Sequence, residues 1–168
     1  AHPLVGDFVT ELAEWGGPSG YLGLPSSDAL QVATGFTQDF EGGIITRDFS
    51  AHTFVVYGGI AAKYRQLGGA AGALGVATAD EADAPGVSGA RESDFVNGRI
   101  YWSPATGATG VYGGILARYI QLGASVSLGI PIGDEHDVTG VPGARQSDFQ
   151  TGSIFWSAGT GAWEVHGG

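Results

Sequence analysis

Residues 89–103 read Gly-Ala-Arg-Glu-Ser-Asp-Phe-Val-Asn-Gly-Arg-Ile-Tyr-Trp-Ser, and residues 143–157 read Gly-Ala-Arg-Gln-Ser-Asp-Phe-Gln-Thr-Gly-Ser-Ile-Phe-Trp-Ser. A diverged copy runs from Thr37 through Asp39, Phe40, Gly42 and Gly43 to Ile45. Repetition at a period of about 54 residues confines the chain to one supersecondary unit used three times. It also bears on function. A catalytic centre needs unlike residues assembled once, whereas a repeated unit offers similar, weaker sites several times.

The repeats divide as 8–59, 60–114 and 115–168, within one expected domain, 1–168. Each opens with apolar residues at i, i+4 and i+7: Phe8, Leu12, Trp15; Ile60, Tyr64, Leu67; Ile115, Tyr119, Leu122. That spacing puts three side chains on one face of a short helix. Gly16, Gly68 and Gly123 follow directly, each suited to a left-handed helix stop. A tight apolar segment comes next (Leu22 to Pro25, Leu74 to Ala77, Leu128 to Pro131), then an acidic loop with Asp28, Asp80-Glu81 or Asp134-Glu135. A hairpin follows, with turns expected at Gly42-Gly43, Asn97-Gly98 and Thr151-Gly152. A further turn at Thr106-Gly107 or Thr160-Gly161 leads into a last strand.

Each unit is therefore expected to hold one short helix and about three short antiparallel strands, giving an α+β class. A unit of this size has too little apolar surface to stand alone, so the three must share a core. The order of elements runs on smoothly if the chain ends are joined. The expected architecture is a closed, propeller-like pseudo-threefold domain, with an open repeat stack as the alternative.

The net charge of −10, with only seven Lys plus Arg, argues against a nucleic-acid partner, which needs clustered cations. It argues equally against attraction to anionic lipid. No apolar run approaches the roughly 20 residues of a membrane span. Cysteine is absent, which removes disulfides and thiolate chemistry. A chain that starts at Ala1 and contains no Met is what signal-peptide removal leaves, as is a chain trimmed from a longer one; of the two, a secreted protein is the expectation.

The Leu-Gly-x-Pro element, the Asp-Phe-x-x-Gly-x-Ile-Tyr-Trp-Ser hairpin and the Thr-Gly-Ala…Val-x-Gly-x-Ile exit together resemble the LGFP repeat, over essentially the whole chain. The resemblance implies a non-catalytic module of actinobacterial envelope proteins, associated with arabinogalactan or peptidoglycan. It also implies a fused or partner enzyme domain such as a mycolyltransferase or amidase. Three departures stand out. The name motif ends here in Leu24-Pro25, Val76-Ala77 and Ile130-Pro131. The exit position that carries His in many members is Phe54, Thr109 or Trp163. In the first repeat Thr46-Arg47-Asp48 replaces the aromatic pair, so that copy is expected to bind differently or not at all.

Alternation along a strand sets Ile100 and Trp102 on one face and Tyr101 on the other, with Ile154, Trp156 and Phe155 likewise. With the isoleucines inward, Tyr101 and Phe155 are the outward rings, and Trp102 and Trp156 lie nearer the interior. These rings either anchor repeat packing or stack on the C–H face of a pyranose. Trp163 has no counterpart in kind, which favours exposure. Arg91 with Asp94, and Arg145 with Asp148, stand three apart beside the rings. They either serve vicinal hydroxyls or form ion pairs and turn caps. Asp39 is the first-repeat counterpart.

The acidic loops Asp80-Glu81-Ala82-Asp83 and Asp134-Glu135-His136-Asp137 invite a calcium reading. They match no EF-hand spacing, and solvated loop acids are the favoured alternative; no metal or cofactor is expected. His2, His52, His136 and His166 fall in no nucleophile elbow, zinc helix or phosphate loop. The candidate set is therefore Arg91, Asp94, Tyr101, Trp102, Arg145, Asp148, Phe155, Trp156 and Trp163, for cell-envelope polysaccharide. A protein-interaction scaffold and, last, a cell-wall hydrolase are the competing readings.

Overall fold

A computed structural model describes residues 2–4 and 6–167. Ala1 and Gly168, at which the expected single domain begins and ends, lie outside the described residues, as does Val5. The elements are α1 (Asp7–Glu14), β1 (Leu30–Val32), β2 (Gly35–Asp39), β3 (Gly43–Asp48), β4 (Thr53–Tyr57) and α2 (Gly58–Gln66). They continue with β5 (Ala82–Asp83), β6 (Arg91–Phe95), β7 (Gly98–Ser103), β8 (Gly107–Tyr112), α3 (Gly113–Gln121), α4 (Ser125–Leu128), β9 (His136–Asp137), β10 (Arg145–Phe149), β11 (Gly152–Ser157) and β12 (Gly161–His166). The class is α+β, and each repeat carries a four-stranded antiparallel sheet: β1-β2-β3-β4, β5-β6-β7-β8 and β12-β11-β10-β9. Among the described residues no strand pairing closes these sheets into a barrel or propeller sheet. No helix among them is long and apolar enough to cross a membrane.

The three helices form where the apolar spacing predicts them. Phe8, Leu12, Ile60, Tyr64, Ile115 and Tyr119 are all buried, because positions four apart share a face. Gly16, Gly68 and Gly123 end them at φ of 89°, 93° and 98°, a region that a Cβ disfavours.

The expected three strands per repeat become four, because the acidic loop supplies the edge strands β5 and β9. There Asp83 faces Arg91 and Asp137 faces Arg145 across the ladder. The hairpin turns also shift by one residue. Phe149 pairs with Gly152, so Gln150 and Thr151 make the turn and Gly152 opens the strand. Phe40 likewise donates to the Gly43 carbonyl, leaving Glu41 and Gly42 at the turn, and in the second repeat Val96 and Asn97 separate β6 from β7. The glycines serve close packing rather than a left-handed turn. A Cβ on Gly152 would lie 2.6 Å from the Val165 carbonyl oxygen, and one on Gly43 would lie 2.7 Å from that of Val56.

Each turn is docked on the Leu-Gly segment of its own repeat. Glu41 and Gly42 donate backbone N–H groups to the Leu24 and Leu22 carbonyls, and Gln150 and Thr151 donate to those of Ile130 and Leu128. Isolated bridges Pro25–Phe40, Ala77–Phe95 and Pro131–Phe149 continue the pattern. The segment thus satisfies turn amides that would otherwise lack partners.

The chain divides into two compact units. The first holds residues up to Glu81 together with Ser93–Asn97; the second holds Ala82–Glu92 and residues from Gly98 onward. In the first, α1 packs Phe8 and Leu12 against Leu22, Phe40, Ile45 and Val55. Helix α2 packs against β3 and β4 of the same sheet and meets its other face, which carries Asp39 and Thr46. Arg65 donates to the Asp39 carboxylate and the Gly43 carbonyl, both at 3.0 Å, and Ala77 N–H reaches Thr46 Oγ1 at 3.2 Å. Tyr64 of α2 stacks on Phe95 with centroids 4.5 Å apart and donates to the Gly75 carbonyl.

In the second unit α3 is clasped in the same way. Tyr119 stacks on Phe149 of the third sheet at 4.4 Å and meets Tyr101 of the second edge-on at 5.8 Å. Its hydroxyl donates to the Gly129 carbonyl at 2.7 Å. Around it Val111, Ile115, Leu128, Ile130 and Ile154 complete the core. Within each unit, then, α2 and α3 each pack on the sheet that precedes them while also burying a Tyr against a hairpin Phe that follows.

Candidate functional site

The one-residue turn shift decides the site. With Phe149 opposite Gly152, the ladder sets Arg145 directly opposite Trp156 on one side and Asp137 on the other. The three side chains share a face, and Arg145 and Trp156 front a cleft of about 180 Å³ lined also by Tyr112, Gly113, Gly114, Ile115 and Glu135. Trp156 is half-buried, and its indole rests on the start of α3. A Cβ on Gly114 would lie 2.3 Å from Trp156 Cδ1 and 2.4 Å from Nε1, so glycine is what lets the ring lie there.

Arg145 is oriented by two carboxylates. Nε donates to Glu135 Oε1 at 2.7 Å, Nη1 donates to Asp137, and Nη2 reaches the Glu135 carbonyl at 3.2 Å. Its hydrogen bonds to Glu135 and then Asp137 hold the guanidinium proton more tightly than usual. Burial raises the Tyr112 hydroxyl pKa, and the Glu135 charge adds to it. An aromatic face beside a guanidinium and two carboxylates offers an apolar platform, donors and acceptors within one cleft.

The first repeat builds a cleft at the corresponding place, of about 460 Å³, lined by Gly6, Asp7, Phe8, Ala29, Gln31, Phe36 and Arg47. Here the cross-strand pair is Phe36 opposite Arg47, the aromatic and the cation having exchanged strands. Arg47 Cζ sits 5.2 Å from the Phe36 ring centroid and pairs with Asp7. Asp7 occupies the position of Gly114, so an ion pair replaces the indole-on-glycine contact. The first repeat carries Thr46-Arg47-Asp48 in place of the aromatic pair, and Phe36 supplies a ring from the facing strand.

The remaining expected residues are distributed as follows. Arg91 pairs with Asp83, and Trp102 is half-buried on β7 opposite Ala108. Asp94 lies on β6, where its backbone carbonyl accepts from Thr78 at 2.9 Å. Tyr101 is 0% exposed and is therefore a correction, since the expectation had it outward. Alternation holds, but α3 covers that face, so the ring packs on Tyr119, and burial pushes its hydroxyl pKa up to about 12.

Arg145 and Asp148 do not act together, because an offset of three along a strand puts them on opposite faces. Asp148 instead accepts from Gln146 at 2.6 Å and Ser153 at 2.5 Å. Burial alone would raise its pKa, but these two hydrogen bonds and His136 outweigh that and leave it below the usual value. It shares its face with Phe155 and Trp163, which oppose each other and stack at 4.7 Å with planes 15° apart.

Sequence reading missed Tyr112, Gly114 and Glu135 in one cleft and Asp7 and Phe36 in the other. A hairpin register counted from Phe149 and Gly152 would have exposed the Arg–aromatic pairs. It also missed the cluster of Trp15, Tyr21 and Tyr57, with centroids 5.1–6.3 Å apart. Tyr57 is distant in sequence from the other two; it recurs as Tyr112, while Trp15 and Tyr21 give way to Leu67 and Ala73 or to Leu122 and Ser127.

No curated protein matches the chain. The LGFP repeat family matches three times, at residues 22–72, 74–126 and 128–168. Each match opens on the Leu (Leu22, Leu74 or Leu128) whose carbonyl receives a hairpin-turn amide, and together they span most of the sequence; the chain belongs to the LGFP repeat family.

Proposed function

We propose that the chain is a non-catalytic, extracellular module that binds cell-envelope polysaccharide of the arabinogalactan or peptidoglycan class through its Arg–aromatic clefts. The observation that carries this reading is the recurrence of one cleft with its chemistry conserved and its strands exchanged: Arg145 opposite Trp156, and Phe36 opposite Arg47. A ring that served only packing would have no reason to keep a guanidinium opposite it. A sugar ring needs both, an apolar face for its C–H surface and a donor for its hydroxyls. Sites of this kind are weak singly. Two or three on one chain, engaging one polymer, gain avidity of about 10²-fold or more. The arrangement proposed with it is closure of the three repeats into one pseudo-threefold domain, an open repeat stack being the alternative.

The test is retention on purified, insoluble cell wall. Trp156→Ala is expected to reduce retention several-fold, and Trp156→Ala combined with Phe36→Ala to reduce it further, while far-ultraviolet circular dichroism stays native. Undiminished retention by the folded double variant would remove the clefts from the binding surface.

A further inference from the structure

We propose that a buried, ordered water molecule joins Ser147, Asp148 and Gly133 in the third repeat, and an equivalent one sits beside Ser93 in the second. Each does what the side chains of Ser27 and Gln38 do directly in the first. The water is a structural ligand, and its binding does not depend on what the clefts take.

Gln38, Ser93 and Ser147 each stand immediately before the Asp-Phe of their hairpin, and they are 0%, 2% and 1% exposed. Among the described residues the hydroxyls of Ser93 and Ser147 have no hydrogen-bond partner, and in the first repeat Gln38 Oε1 is the atom left over. A buried polar atom without a partner is costly, and native chains almost always supply one from protein or from ordered water.

The first repeat shows what the place needs. Gln38 Nε2 donates to the Ser27 carbonyl at 2.9 Å and to the Pro3 carbonyl at 3.1 Å. The Asp39 N–H donates to Ser27 Oγ at 3.0 Å. Loop and strand approach each other in the same way in the other repeats. The Ser26 N–H donates to the Asp39 carbonyl at 2.8 Å, and Thr78 and Ile132 donate to those of Asp94 and Asp148 at 2.9 Å. The next loop residues are Ser27, Ala79 and Gly133. Both bridging side chains are therefore cut back together, Gln38 to Ser147 and Ser27 to Gly133, while the backbone bond beside them is kept.

Ladder geometry sets what converges there. Phe149 opposite Gly152 and Ser147 opposite Ile154 are the bonded pairs, as the Phe40 N–H to Gly43 carbonyl bond shows in the first repeat. The Asp148 N–H therefore points away from β11. On that side β9 pairs only with Arg145 and Gln146, so Asp148 meets the loop at Ile132 and Gly133. The Asp148 N–H, the Gly133 carbonyl and the Ser147 hydroxyl offer a donor, an acceptor and a group that serves as either, about the three partners a buried water takes. In the first repeat only Gln38 Oε1 is left over, too few partners to hold one. Gly133 lies two residues before Glu135, and Ser147 two after Arg145, so this water ties the loop that carries Glu135 to the strand that carries Arg145.

Water–amide cross-relaxation in the isotope-labelled intact chain tests this. The wild type is expected to show a bound-water cross-peak at the Asp148 amide and none at Asp39. Ser147→Ala leaves the water its other two partners, so the peak should persist while the folding constant from urea unfolding falls about tenfold. Transplanting the first repeat's pair, Gly133→Ser with Ser147→Gln, should remove the peak and return the folding constant toward wild type. Space allows the first change, since a Cβ on Gly133 meets no atom within 4 Å. A wild type with no cross-peak at Asp148 overturns the proposal. So does a peak that vanishes in folded Ser147→Ala, which would come from the serine hydroxyl proton, and so does one undiminished in the double variant.

Discussion

The second and third sheets share one hairpin motif, yet their outer faces end in opposite environments. Tyr101 and Phe155 occupy the same register position, one residue before a tryptophan and one after an isoleucine. Tyr101 is sealed beneath α3 and touches Tyr119, while Phe155 lies half-exposed under Trp163. The strands differ on this face at Arg99 and Ser153 and at Thr109 and Trp163, but Val111 and Val165 are identical and still diverge, 1% against 48% exposed. What differs is the presence of a helix on the face. In a repeat protein the fate of a side chain is set by the neighbouring unit, and a local pattern read within one unit cannot report it.

The strongest way to break the comparison is truncation. Tyr101→Ala removes a wholly buried ring and its contact with Tyr119, and should cost about 3–5 kcal/mol in urea unfolding. Phe155→Ala should cost about 1 kcal/mol, because the ring is already partly in water. Equal losses would mean that the third-sheet face is as well covered in solution as the second.

Alkaline titration gives a smaller but sharper reading. Burial raises the hydroxyl pKa of Tyr64, Tyr101 and Tyr119, Tyr101 to about 12. These groups stay protonated in the folded chain while the unfolded chain ionises near the ordinary tyrosine value of about 10. The stability they carry is full below that value and falls as pH rises toward their folded values. Absorbance near 295 nm should therefore show Tyr64, Tyr101 and Tyr119 ionising only as the chain unfolds. Early ionisation of Tyr101 would show its face to be open.

The smallest expected effect is at Asp148, on the uncovered face. Its folded pKa lies below the ordinary value because hydrogen bonds from Ser153 and Gln146, with the charge of His136, outweigh burial. That contribution is present above the unfolded carboxyl pKa and is lost as pH falls through the depressed one. Asp148→Asn should flatten the acid limb of the stability profile slightly and leave neutral stability little changed. A large loss at pH 7 would mean that Asp148 carries a contact beyond Gln146, Ser153 and His136.

The two clefts show how a small misreading travels. Asn97-Gly98 is a strong turn pair by local chemistry, yet Gly98 begins a strand, as do Gly43 and Gly152. The last two are glycine because a facing carbonyl leaves no room for a Cβ. Placing the turn one residue late moves every cross-strand partner by two positions, so Arg145 no longer faces Trp156 and Phe36 no longer faces Arg47. Arg145 and Asp148 then look like one site when period-two geometry sends them to opposite faces. Gly114 carried no local signal at all, since its reason is an indole more than forty positions away.

Taken by itself, the sequence determined the repeat, the three helices with their glycine stops, the hairpins and the family, because each rests on contacts between residues near one another along the chain. Only the tertiary structure decided which rings are buried, which charged groups meet, and where a cleft forms. Those outcomes depend on what packs against a sheet from a neighbouring repeat, and on strand register exact to a single residue. Neither is encoded in any one segment, and a strand with a side-chain period of two turns a one-residue error into the opposite face.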